Sequence, residues 1–150
     1  MNVNQYNRTG LLKIAGYLTV ALAIFQAVIT TVPSWALYFG AGEEVTKRLW
    51  LLYTSGYSVA VMFFLFALYA FSAASMIKPL KAIKPILIMI SSIFLLRGFA
   101  LFPELLANTE VINLGGNIPV QAIISSIVSL LFGVIYIIGT LIAWGNIPHR

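Results

Sequence analysis

From Ile14 to Gly42 the chain reads IAGYLTVALAIFQAVITTVPSWALYFGAG, and no side chain in this stretch carries a charge. The pattern returns from Leu49 to Ile77, LWLLYTSGYSVAVMFFLFALYAFSAASMI, again without one charged residue. A charge at the middle of a bilayer costs about 2.5–3.5 kcal/mol, so uncharged gaps outline the segments that can cross it. A spanning helix needs about 20 apolar residues, and each gap holds one helix with its interfacial shoulders.

Extended along the chain, this reading predicts four spans. The first runs from about Gly10 to Val32, where Pro33 kinks or ends it and Trp35, Tyr38 and Phe39 follow as interfacial aromatics. The second covers about 49–77. Lys78-Pro79-Leu80-Lys81-Ala82-Ile83-Lys84-Pro85 is a polar turn whose prolines are expected to stop one helix and start the next. The third runs from about Pro85 to Phe102 and breaks at Pro103. A loop rich in Asn and Gly (Asn108, Asn113, Gly115, Gly116, Asn117) precedes a fourth helix over about Val120–Trp144. The first span is too long for a signal-peptide core, and no small-residue cleavage site follows it, so it is read as a membrane helix. The expected fold is therefore one all-α domain, an integral membrane bundle of four transmembrane helices.

Composition agrees. Hydrophobic residues make up 61% of the chain and charged ones 9%, against about 25% charged in soluble domains. So little charge cannot cover a water-facing surface. Cysteine and aspartate are absent and His149 is the sole histidine, which excludes thiolate chemistry and leaves no metal-ligand spacing. The net charge of +5 does not indicate nucleic acid, because the basic residues stand at span ends, where lysines fix topology and meet anionic lipid. Arg8, Lys13, Lys78, Lys81, Lys84 and Arg150 fall on one side and only Lys47 and Arg48 on the other. That asymmetry predicts an inner (plasma) membrane protein with both termini cytoplasmic, and puts Glu43, Glu44, Glu104 and Glu110 on the outer side.

Arg97 is the one ionisable residue well inside a span. About 1.5 Å per residue from Pro85 places it about 18 Å into a core roughly 30 Å thick, in the outer half. An arginine there must snorkel, pair or face a polar cavity. Glu104 returns to nearly the same helix face, and Glu43 and Glu44 are alternative partners. Trp50, Tyr53 and Tyr57 approach the same level on the second helix, with Gln26 on the first. Together these residues form the candidate ligand site. On the second helix Trp50, Tyr57, Phe64 and Phe71 recur every seven residues, a stripe expected to fill the bundle core, with lining a ligand cavity as the alternative. Ala15, Thr19, Ala23 and Ala27 on the first helix, and Ser125, Ser129 and Gly133 on the fourth, are small residues at four-residue spacing that allow close helix packing.

No nucleophile–base pair can be drawn, and Gly115-Gly116-Asn117 does not make a phosphate loop. The chain also lacks the first-helix Glu on which small four-span multidrug exporters depend. Through Ile93-Phe94-Leu95-Leu96-Arg97-Gly98, Pro103-Glu104 and Pro33-Ser34-Trp35, the chain resembles small four-helix bacterial inner-membrane proteins, many of them uncharacterised. More faintly it resembles DoxX-like proteins. The resemblance implies the topology and carries no active residue, catalytic group or cofactor with it. The leading expectation is a non-enzymatic protein that binds an amphiphile, a lipid or quinone-like molecule, or a membrane partner through its outer half. An accessory subunit docking a second copy or another membrane protein is one alternative. A small enzyme using Glu104 as base and Arg97 as oxyanion clamp is the other.

Overall fold

The computed structural model describes residues 3–103, 119–145 and 147, with side chains from residue 9 onward. Among the described residues six helices follow one another: α1 (Val3–Thr31), α2 (Pro33–Tyr38), α3 (Glu43–Lys47), α4 (Leu49–Ala73), α5 (Ile83–Phe99) and α6 (Val120–Ala143). Four stretches of the described residues are long and apolar enough to cross a membrane: Thr9–Thr31, Leu49–Ala73, Ile83–Pro103 and Val120–Ala143. Only 28–33% of an 18-residue apolar window within each is buried inside the protein. The remaining apolar surface needs lipid to cover it, so the chain is a multi-pass membrane protein built as a four-helix bundle.

Each break has a local cause. Val32 precedes a proline, whose ring disfavours the helical region for its neighbour, and it adopts φ −119°, ψ 104°. Pro33 then opens α2, where its missing N–H leaves nothing unsatisfied. Gly40 ends α2 at φ +101°, and the Ala41 N–H returns to the Ala36 carbonyl at 2.9 Å. That closure needs a left-handed residue, which glycine adopts without strain.

α4 stops at Ala73, earlier than the expected Ile77, and Pro79 is not what stops it. Ser75 takes the left-handed conformation at φ 58°. The Ser75 N–H bonds the Ser72 carbonyl at 3.1 Å and the Met76 N–H bonds the Phe71 carbonyl at 2.9 Å. These two bonds close a Schellman motif and satisfy the final carbonyls of the helix. α5 begins at Ile83, so Pro85 lies in its first turn rather than before it. No intrahelical bond is lost, because first-turn N–H groups have no partner within a helix.

α1 packs extensively on α4, α5 on α6, and α1 also lies against α6, while α4 and α5 meet more sparsely. Around the bundle the order is therefore α4–α1–α6–α5. Glycines make the tight seams possible. A Cβ at Gly98 would stand 2.6 Å from the Leu130 Cα, and one at Gly133 would stand 2.7 Å from the Leu95 Cγ. Gly56 similarly receives the Thr30 side chain, and Gly139 receives Leu12. Close backbone approach replaces the hydrophobic drive that lipid cannot supply.

The wider α4–α5 seam is filled by rings. Phe94 of α5 stacks on Phe63 at 6.0 Å, meets Phe66 edge-on at 6.2 Å, and lies 5.3 Å from Phe132 and 5.8 Å from Tyr136 of α6. Such offset and edge-to-face pairs add to the packing of the rings. Tyr136 is fully buried, and its hydroxyl lies 2.9 Å from the Thr19 Oγ1. Thr19 in turn donates to the Ala15 carbonyl at 2.7 Å. Both bonds form when Tyr136 donates to Thr19, which ties α6 to α1 inside the core.

The predicted core stripe on α4 lies elsewhere. Trp50 is 66% exposed, Tyr57 41% and Phe64 49%, so these rings face outward. Phe71 is half-buried and covers Gly16 of α1. The buried α4 face carries Leu52, Gly56, Ala60, Ala67 and Ala70 instead. Small residues predominate on this face, where α1 packs closely; a ring is admitted against α1 at Phe71, where the opposing residue is Gly16.

Candidate functional site

Arg97 stands near the C-terminal end of α5, beside Gly98. Because a Cβ at Gly98 would collide with the Leu130 backbone, α6 runs close alongside the arginine. The Arg97 NH1 nitrogen donates to the Ser126 Oγ at 2.7 Å, and the NH2 nitrogen donates to the Ser125 Oγ at 2.8 Å. Ser125 passes its own proton to the Ala122 carbonyl at 2.8 Å, which leaves its lone pairs for the guanidinium. The planar fork of arginine fits two neighbouring acceptors.

The levels match. Arg97 lies six residues before Pro103, and Ser126 six residues after Val120, so both sit about 9 Å inside the ends of their spans. Serine hydroxyls are neutral acceptors that fix the plane of the guanidinium against α6. Ser126 is buried, whereas Arg97 and Ser125 are exposed at the α5–α6 surface. The cluster thus lies at the α5–α6 surface rather than in the bundle core.

The other residues of the sequence-derived site are dispersed. Glu43 and Glu44 occupy α3 with strongly exposed side chains, and both carboxylates face Lys47, at 3.5 and 3.6 Å. Glu104 lies outside the described residues, as do Glu110 and the Gly115-Gly116-Asn117 loop. Trp50, Tyr53 and Tyr57 sit on the outside of α4. Tyr57 precedes Phe66 by nine residues, which at 100° each puts it on the opposite side of the helix from that contact with α5. Tyr53 and Tyr57 lie 6.2 Å apart and line a shallow groove with Thr54, Ser58 and Val61. Gln26 is half-buried and lines a separate pocket of about 230 Å³ between α1, α2 and α4, with Thr30, Ser55 and Phe39 among its walls. Tyr53 and Tyr57 thus open onto the α4 surface and Gln26 onto the pocket between α1, α2 and α4, whereas the Arg97 guanidinium is bonded at the α5–α6 seam.

The small-residue stripes also divide. Ala15, Thr19 and Ala23 are buried and Ala27 half-buried within the bundle. On α6, Gly133 is buried, Ser129 half-buried and Ser125 exposed, and the buried serine is Ser126. Sequence reading therefore missed Ser126 and assigned Ser125 to packing, whereas both serve Arg97. A usable signal was present, since adjacent serines at the depth of the only intramembrane arginine are natural hydrogen-bond acceptors for it.

Among the described residues, no group of three or more His, Cys, Asp or Glu could hold a metal ion. Comparison of the chain with protein-family models, curated proteins and solved structures finds no match.

Proposed function

We propose that this chain is an inner (plasma) membrane protein, with both termini cytoplasmic, that binds the head group of an anionic or carbonyl-bearing amphiphile without catalysing a reaction on it. The observation that carries this reading is the exposed Arg97 guanidinium, straddling the Ser125 and Ser126 hydroxyls about 9 Å inside the span. A guanidinium fixed at that depth is a donor suited to a carboxylate, phosphate or quinone oxygen. Lipid or a quinone-like molecule is the ligand class, and the acyl or prenyl chain lies along the apolar α5–α6 surface. The excess of lysine and arginine at the α4–α5 connection and at the termini supports the orientation.

The test is equilibrium binding of labelled oleate and of a short-chain benzoquinone to the protein in lipid nanodiscs. Arg97→Leu is expected to weaken binding of at least one of them about 10–100-fold, the loss of a charge-assisted hydrogen bond worth about 1.5–3 kcal/mol. Paired Ser125→Ala and Ser126→Ala changes should weaken it less. Unchanged affinity in Arg97→Leu sinks the proposal. A reporter fused after Arg150 should read cytoplasmic, and a signal from the opposite side would reverse the assignment of the two faces.

A further inference from the structure

We infer that the α4–α5 hairpin is a built binding site for an anionic phospholipid head group, at the opposite end of the bundle from Arg97. Its charge is one-sided. Lys78, Lys81 and Lys84 lie within this connection and Lys13 lies near the same end on α1, while no carboxylate side chain occurs before α1's span, between α4 and α5, or after α6. Lys78 and Lys81 are exposed. Lys84 holds its ammonium 4.8 Å from the centre of the Trp144 ring, a cation–π contact with an interfacial aromatic. The positive end of the α5 dipole adds to the same field.

What separates this hairpin from a diffuse basic rim is its fixed shape. Ser72 is fully buried at the end of α4. Its hydroxyl donates to the Lys78 carbonyl at 3.2 Å and accepts the Leu80 N–H at 2.8 Å. One buried side chain thus clamps the backbone on both sides of Pro79. Left-handed residues bracket the turn, Ser75 at φ 58° and Ala82 at φ 54°. Lys78 and Lys81 therefore project from an ordered backbone, and a phosphodiester meets them with little further loss of chain entropy. The hairpin sits directly at the end of two spans, where lipid phosphates lie, so the phosphate comes from a lipid rather than from free solution.

Native mass spectrometry of the detergent-purified chain with equal phosphatidylglycerol and phosphatidylcholine tests this. Wild type should retain phosphatidylglycerol preferentially. Lys78→Gln with Lys81→Gln should lower its apparent affinity about 25-fold, roughly 5-fold for each lysine at an anionic surface. The conservative pair Lys78→Arg with Lys81→Arg should keep it, as should Lys47→Gln at the far end. Ser72→Ala leaves every charge in place and should still weaken binding several-fold. Pro79→Gly loosens the same turn without touching the buried serine and should do likewise. Millimolar inorganic phosphate should fail to displace the lipid, and displacement would make the ligand free phosphate and overturn the lipid assignment. Equal phosphatidylglycerol binding in the double glutamine variant overturns the site. Full binding in both Ser72→Ala and Pro79→Gly reduces it to diffuse electrostatics and equally defeats the inference.

Discussion

Replacing Gly98 by alanine tests the tightest seam in the bundle. The added methyl would stand 2.6 Å from the Leu130 Cα and 2.7 Å from its backbone nitrogen. Carbon atoms settle at about 3.5–4.0 Å, so α5 and α6 would have to part by about 1 Å. No rotamer change can relieve the clash, because the obstacle is backbone. The reciprocal contact of Gly133 with Leu95 would loosen with it. The Arg97 bonds to Ser126 and Ser125, now 2.7 and 2.8 Å, would stretch beyond the usual hydrogen-bond range of about 3.2 Å. Overpacking costs about 1–3 kcal/mol, and interhelical polar contacts in membranes contribute about 0.6 kcal/mol each. Alanine returns about 1 kcal/mol through its better helix propensity. The net expectation is a loss of about 1–3 kcal/mol, read by SDS titration in mixed micelles with tryptophan fluorescence. Gly10→Ala is the internal control, since a Cβ there meets nothing within 4 Å, and it should be neutral or stabilising by up to about 1 kcal/mol. If Gly98→Ala is as stable as wild type, the close α5–α6 approach is wrong and the Arg97 clamp loses its scaffold.

Three further outcomes are expected. Tyr136→Phe and Thr19→Val should each cost about 0.5–1.5 kcal/mol, and the double variant little more than either alone, because both remove the same 2.9 Å bond; full additivity in the same titration would show that the hydroxyls act independently. Ser75→Gly should stabilise the bundle by about 1 kcal/mol, since glycine occupies φ 58° without the strain carried by serine; a loss of stability on thermal unfolding would contradict the helix-end geometry. Lys47→Ala should change stability by less than about 0.5 kcal/mol, because its pairs with Glu43 and Glu44 are exposed, and a larger effect would point to a structural role for α3.

The four spans were legible in the sequence because the cost of placing a side chain in hydrocarbon attaches to each residue separately. The gaps from Ile14 to Gly42 and Leu49 to Ile77 could be read without knowing any neighbour. Arg97 stood out for the same reason. The break at Val32–Pro33 is equally local, a steric conflict between two adjacent residues. The end of α4 is only partly so: serine gives no warning of a left-handed turn, and the prolines at 79 and 85 mark the connection without marking Ser75.

Facing directions needed the tertiary structure. Trp50, Tyr57 and Phe64 form a clean seven-residue stripe, yet in lipid an aromatic stripe is as comfortable outside a bundle as within it. Apolar periodicity therefore loses the inside–outside meaning it has in water. The close approach of α1 decided the matter by reserving the inner face of α4 for Gly56, Ala60, Ala67 and Ala70. Arg97 was visible as an expensive residue, but its acceptors depend on the angular phase of α6 against α5. That phase follows from the Gly98 and Gly133 contacts, which join residues distant in the chain. Depth in the membrane was thus written residue by residue, and partnership was set only when the backbones met.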